Sequence, residues 1–206
     1  AYATWDPAPV AVLLLSDYQS SGDPYGITSP TWNNYCASDN IYADIVGNDD
    51  LPDLAIARIT AQNYGDLSTM INKMLSYERQ PYTDPGFYND PLIAGGWQSD
   101  RWFILCCEVI YGYFETILGK TPERQYDGYS GGAPSYWSTN ANTYMIVNYF
   151  GPSGLGYIET TPYYLTNWSG SAAGINNAIN NGTFIVQHRD HGSVTGWSEP
   201  SYNIGN

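Results

Sequence analysis

Short apolar runs that stop at polar, glycine-containing turns set the rhythm of this chain. Val10-Ala-Val-Leu-Leu-Leu15 is continuous and ends at Ser16-Asp17, the pattern of a parallel strand buried on both faces. Ile41-Tyr-Ala-Asp-Ile-Val46, closing on Gly47-Asn-Asp-Asp50, predicts a second strand. Leu54-Ala-Ile-Ala57, ending at Arg58, predicts a third, and Pro91-Leu-Ile-Ala94, stopping at Gly95-Gly96, a fourth. Between the last two the period changes. Leu67, Met70, Ile71, Met74 and Leu75 recur at helical spacing and predict a helix over Asp66 to Gln80, ended by Pro81. Asp100 stands where it can cap a further helix from Arg101 to about Leu118. A helix over Ala172 to Asn180 closes on Asn181-Gly182 and leads into the apolar Phe184-Ile-Val186. Tyr126 to Asn167, rich in Gly, Ser, Thr, Tyr and Pro, has no helical period and reads as a long insertion near the functional edge. Strands alternating with helices predict an α/β fold whose mostly parallel sheet is flanked by helices. There is no internal repeat.

Composition narrows the function classes. A net charge of −13 argues against nucleic acid and anionic membrane surfaces, since both attract basic patches. Twenty tyrosines and seven tryptophans beside seven Lys plus Arg suit an exported bacterial protein, secreted or on the cell surface. No stretch approaches the ~18 apolar residues of a membrane span. No secretory leader stands at the start, so an exported form is expected to be trimmed already. Three cysteines form neither a CxxC pair nor a Cys/His metal spacing, and Cys36, Cys106 and Cys107 read as small buried hydrophobes.

Candidate chemistry collects after Phe184. The two histidines of the chain, His188 and His191, follow that apolar run, and Gly192-Ser193 comes at once behind them. A strand that ends in a polar turn delivers its last side chains to the carboxyl edge of the sheet, where open α/β sheets bind ligands. Histidine is readily tuned for proton transfer near neutral pH. The residues alone leave a structural and a functional role open for His191. His188, three positions earlier, points to the opposite face of a strand and reads as structural.

Four segments in order carry a resemblance: Leu51-Pro-Asp-Leu-Ala-Ile-Ala-Arg58, Lys73-Met-Leu-Ser-Tyr-Glu-Arg79, Ser99-Asp-Arg-Trp-Phe103 and Val186-Gln-His-Arg-Asp-His-Gly-Ser193, with Trp197 downstream. Together they resemble the catalytic domain of the gingipain-type cysteine peptidases of the caspase-like clan. The resemblance implies a caspase-like, three-layer α/β fold and a Cys/His dyad acting on a protein or peptide substrate. It assigns His191 as the catalytic histidine and the Gly192 N–H as a donor to the tetrahedral oxyanion. It also implies a substrate-binding role for Trp197 and for Asp100, whose competing role is the helix cap. The family's orienting acid belongs after the strand at Pro91–Ala94, where Gly96-Trp97 stands here, and Asp100 is the nearest substitute. The family's nucleophile lies a few tens of residues after the histidine, and none of the three cysteines occupies that place. The expectation is therefore a partial peptidase domain over residues 1–206, with a first half at 1–90 and a second at 91–206. The thiol would come from the rest of the same precursor or from a like subunit.

One feature lies outside that resemblance. Asp44, Asn48, Asp50 and Asp53 place oxygen ligands at short intervals, and such hard, flexible sets suit calcium. The spacing is not that of an EF-hand, so a structural calcium site competes with a solvated acidic turn. Asn167-Trp-Ser169 and Asn181-Gly-Thr183 fit the glycosylation sequon. The rival to a peptidase is a non-catalytic relative, a structural, surface-assembly or binding protein that kept the scaffold. Its interaction surface would be the aromatic stretch from Tyr126 to Asn167.

Overall fold

The computed structural model describes residues 3–19, 26–34, 36–47 and 49–206. The chain forms two compact units, Ala1–Pro81 and Tyr82–Asn206. The division falls just behind a helix, ahead of the predicted boundary at 90/91.

In the first unit β1 (Ala11–Leu15) and β2 (Ala55–Ile59) pair in parallel, from Ala11 against Ala55 to Leu15 against Ile59. The continuous apolar run of β1 suggested burial on both faces. Instead it alternates: Leu14 is buried while Leu13 and Leu15 are exposed. The predicted strand at Ile41–Val46 does not form. A 3-10 turn spans Asp39–Tyr42, and the donors that a ladder would need are used locally. Asn40 O accepts from the Ala43 and Asp44 N–H groups, and Asp53 Oδ2 accepts from Ile45 and Val46 at 2.8 and 2.7 Å. Helix α1 (Tyr64–Arg79) starts two residues ahead of its prediction, because Asn63 caps it through the Asp66 N–H.

Arg58 ties this unit together. Its fork donates to both carboxylate oxygens of Asp39 at 2.7 Å, and Nη1 reaches the carbonyls of Ser16, Asp17 and Ile27. The side chain is 8% exposed. Hydrogen bonding from Arg58, opposed by partial burial, holds the Asp39 carboxyl below its ordinary range.

The second unit is built on β3 (Leu92–Gly96), buried along its whole length, with β4 (Glu123–Asp127) on one side and β5 (Val186–Arg189) on the other, both parallel to it. Helix α2 (Phe103–Thr116) connects β3 to β4, and α3 (Thr143–Phe150) and α4 (Ala172–Gly182) lie between β4 and β5. The region read as an irregular insertion thus contains the last two residues of β4 and a whole helix. Asp100 does not cap α2. The cap position is Trp102, which makes no side-chain bond to the helix, and Asp100 is exposed. One core joins Ile93, Leu105, Cys107, Tyr126 and Trp137, and a smaller one joins Leu92, Ala94, Ile175 and Ala178. Each fully buried large apolar side chain contributes about 1.5–3 kcal/mol. No helix among the described residues is long and apolar enough to cross a membrane.

Inside the larger core sits Glu108 of α2, 1% exposed. Its Oε1 accepts from Arg124 Nε at 2.7 Å and Tyr126 Oη at 2.6 Å; its Oε2 accepts from Arg124 Nη2 at 2.9 Å and Tyr164 Oη at 2.7 Å. Arg124 also lies 3.4 Å from the centre of the Tyr111 ring. Burial and the adjacent carboxylate push both tyrosine hydroxyls upward, so they act as donors throughout. For Arg124, burial alone would weaken the charge, and the bonds from Glu108 outweigh it.

Glu108→Gln leaves the partly buried Arg124 without its counter-charge and turns one acceptor oxygen into a donor facing a guanidinium N–H and a tyrosine hydroxyl. We expect a loss of about 3 kcal/mol in urea denaturation, within the range for breaking a buried ion pair.

Candidate active site

Because β3, β4 and β5 run parallel, their carboxyl ends share one edge, and three turns leave it together. The turn after β3 carries Trp97 and Gln98, the turn after β4 carries Gly128, and the turn after β5 carries Asp190 and His191. Beyond His191 the chain makes a small antiparallel meander of β6 (Gly192–Ser193), β7 (Gly196–Trp197) and β8 (Tyr202–Asn203). The Ser198 N–H donates to His191 O at 2.9 Å and pins the meander back on the turn.

His191 is exposed, and its imidazole is held on two sides. Nε2 lies 3.2 Å from Gln98 Oε1, and the ring meets Phe103 edge-on, centroids 5.3 Å apart and planes at 87°. Its backbone N–H donates to Asp190 Oδ1 at 2.6 Å. Gly192 follows in β6, opposite Trp197. Gln98 and Phe103 escaped the sequence reading. The signal for Gln98 was its place two residues past the end of the central strand, but a carboxylate was sought there and an amide was passed over.

His188 is a different residue physically. It is half-buried in β5, stacked on the Trp197 indole at 4.1 Å and 8°, with Nε2 3.2 Å from the Glu199 carbonyl. A carbonyl only accepts, so the proton sits on Nε2. Burial lowers its pKa, opposed by that bond and by Asp190, and the ring stays neutral. Trp197 thus packs between His188 and Tyr202, against the core of Leu92, Ala94 and Ile175. Asp100 stands at the exposed end of the turn after β3, with its nearest cation, Arg101, 3.9 Å away.

Three carboxylates converge beneath His191. Asp190 lies against Gly96, its Oδ2 buried without a hydrogen-bond partner, and Glu199 lies against Gly128. A Cβ on Gly96 would collide with the Asp190 carboxylate, and one on Gly128, at φ +86°, with Glu199 Oε2. Burial, then the charges of Asp190 and Asp127, raise the Glu199 pKa, and His191 opposes them.

The cysteines lie elsewhere. Cys106 and Cys107 are on α2, and Cys107 is fully buried with its thiol 3.6 Å from Ala94 O. Burial raises both pKa values, the wrong direction for a thiolate nucleophile. Cys36, expected to be buried, is exposed in the first unit. In the acidic loop, Asn48 is outside the described residues. Asp50 Oδ1 accepts from the Trp32 indole at 2.9 Å while Asp53 Oδ2 faces the Ile45 and Val46 amides. No three acidic, His or Cys side chains among the described residues come together as a metal site.

The strand arrangement and histidine turn are those of a caspase-like α/β fold. The crystal structure of the Arg-specific cysteine proteinase gingipain R superimposes with a TM-score of 0.62, covering 98% of this chain and 37% of that one at 23% identity. In sequence, residues 1–205 match Peptidase family C25, and the chain belongs to that family. Gingipain R2 of Porphyromonas gingivalis strain W83 is 28% identical over 68% of this chain, and Gingipain R1 of the same species is also 28% identical. The chain spans 20% and 15% of those two relatives.

The raised Glu199 pKa fixes a sign. Ionised Glu199 destabilises the fold above its folded pKa, and that cost disappears below the ordinary value of about 4.3. Glu199→Gln should therefore raise the melting temperature at pH 7, with the gain shrinking to nothing as the pH falls through that window. Equal gains at both ends of the range would exclude the buried, crowded charge as the cause.

Proposed function

We propose that this chain is part of a cysteine endopeptidase in which His191 is the proton-transfer residue and Gly192 an oxyanion donor. What supports the reading is one juxtaposition: an exposed imidazole, oriented by Gln98 and Phe103 at the carboxyl edge of the sheet, followed directly by a glycine. The thiolate would attack the scissile carbonyl, and His191 would protonate the departing amine, giving an acyl-enzyme that water then hydrolyses. The Gly192 N–H would stabilise the tetrahedral oxygen, with no Cβ to keep it at a distance. Neither α2 thiol is suited to the nucleophile's role, so we assign that role to a cysteine elsewhere in the polypeptide the organism makes. A protein or peptide substrate and a secreted or surface location accompany this reading.

The test uses that whole polypeptide. Iodoacetamide should label a cysteine other than Cys36, Cys106 and Cys107, and the labelling should abolish hydrolysis of a peptide library. His191→Ala should lower kcat by about 10²–10⁴-fold, the usual worth of a general acid–base group, with an unchanged melting curve. Full activity in that variant, or no hydrolysis by the intact polypeptide, would favour the non-catalytic relative instead.

A further inference from the structure

The mechanism so far leaves open how the imidazole is held ready. Two ring nitrogens are available, and they are not equivalent: one must face the thiol, the other must be tied to the protein. Nε2 is the tied one, 3.2 Å from Gln98 Oε1. Its partner is an amide, set in a corner that already holds the carboxylates of Asp127, Asp190 and Glu199. Glu199 is pushed toward its neutral form there, with the other two acids among the causes. A fourth carboxylate at residue 98 would add to that repulsion. An amide oxygen can orient the ring without adding charge.

We infer that Gln98 is the positioning residue of His191, accepting the Nε2–H bond so that Nδ1 is the nitrogen presented to the reacting thiol. This rests on the peptidase reading for its purpose, though not for its geometry. The assignment holds in both protonation states. When the ring is neutral, the proton sits on Nε2 and Nδ1 carries the lone pair. When the ring is an imidazolium, both nitrogens donate, and only the oxygen end of the amide can face Nε2. Gln98 itself is half-buried, and its turn is anchored at both ends. The Trp97 N–H donates to Asp127 O at 2.9 Å, and the Ser99 carbonyl accepts from the Thr139 N–H at 2.7 Å. Phe103 packs edge-on against the same ring. The orienting group is thus in place before any substrate arrives.

The chain contains two histidines, which makes the test direct. Nitrogen-15 spectra of the whole polypeptide at about pH 9, well above the ordinary histidine range, with the His188 and His191 signals assigned from single substitutions, report which nitrogen of each ring carries the proton. His188, fixed by the Glu199 carbonyl, is the internal standard. In the wild type, His191 should show a pyrrole-type Nε2 and a pyridine-type Nδ1. Gln98→Ala should collapse that separation toward the averaged shifts of a freely exchanging imidazole while leaving His188 unmoved. Gln98→Glu should restore the separation and make His191 keep its second proton to higher pH than in the wild type. A wild-type His191 protonated on Nδ1, or a Gln98→Ala spectrum unchanged at His191, would overturn the assignment. Neither result depends on a thiol or on turnover. A wild-type His191 without the Nε2–H tautomer would therefore fail the inference alone, and an absent nucleophile would fail the peptidase reading alone.

Discussion

The second unit depends on one buried carboxylate. Glu108 projects from α2 into the core, where an ionised group is tolerated only if each of its lone pairs is met. Four donors meet them, two from a single guanidinium and one from each of two tyrosines. Those donors come from β4 and from the loop ahead of α4. One side chain therefore fixes the helix against the sheet and the long connection against both. Hydrophobic contact alone would allow these layers to slide; a carboxylate with four directional bonds does not. The edge where His191 sits inherits its geometry from that fixed arrangement.

At the edge itself the governing constraint is crowding of like charge. Asp190 and Glu199 come together beside Asp127 because Gly96 and Gly128 have no Cβ to fend them off. The imidazole of His191 is the opposing influence named for Glu199, and the neutral Gln98 is the group that touches the ring. Acids and amide are thus gathered around the residue assigned to chemistry. His188 is kept apart by burial and by its stack on Trp197.

Much of this was legible in the chain, and the failures have physical causes. The strands at Val10, Leu54 and Pro91 and the helices at Asp66, Arg101 and Ala172 showed because burial imposes a period on their side chains. β4 was invisible for the opposite reason: Glu123-Arg-Gln-Tyr-Asp127 reads as polar, because Arg124 and the Tyr126 hydroxyl are there to meet Glu108. Helix α3 hid behind Ile146, Val147 and three aromatic residues, a composition that favours strands unless tertiary packing decides otherwise. The reverse error at Ile41–Val46 arose because Asp53, eight residues from Ile45, takes the amides a strand would have offered. The His-Gly turn was readable from the order of apolar and polar residues. Gln98 was not, since its place past the central strand was searched for a carboxylate and its histidine partner lies ninety-three positions away.

The clamp around Arg58 has a consequence for how the first unit comes into being. Its partners at Ser16, Asp17, Ile27, Ser29 and Asp39 all precede it in the chain. During synthesis each of those segments leaves the ribosome with its carbonyls and carboxylate still turned to water. They can be gathered only once residue 58 has followed them out. Local turns can form earlier, but their common tether arrives last, so ordering of these loops is delayed and then simultaneous. A nascent chain halted before residue 58 could still make the pairwise bonds from Ile27 to Ser16 and from Ser29 to Asp39, but would lack the one side chain that gathers them all.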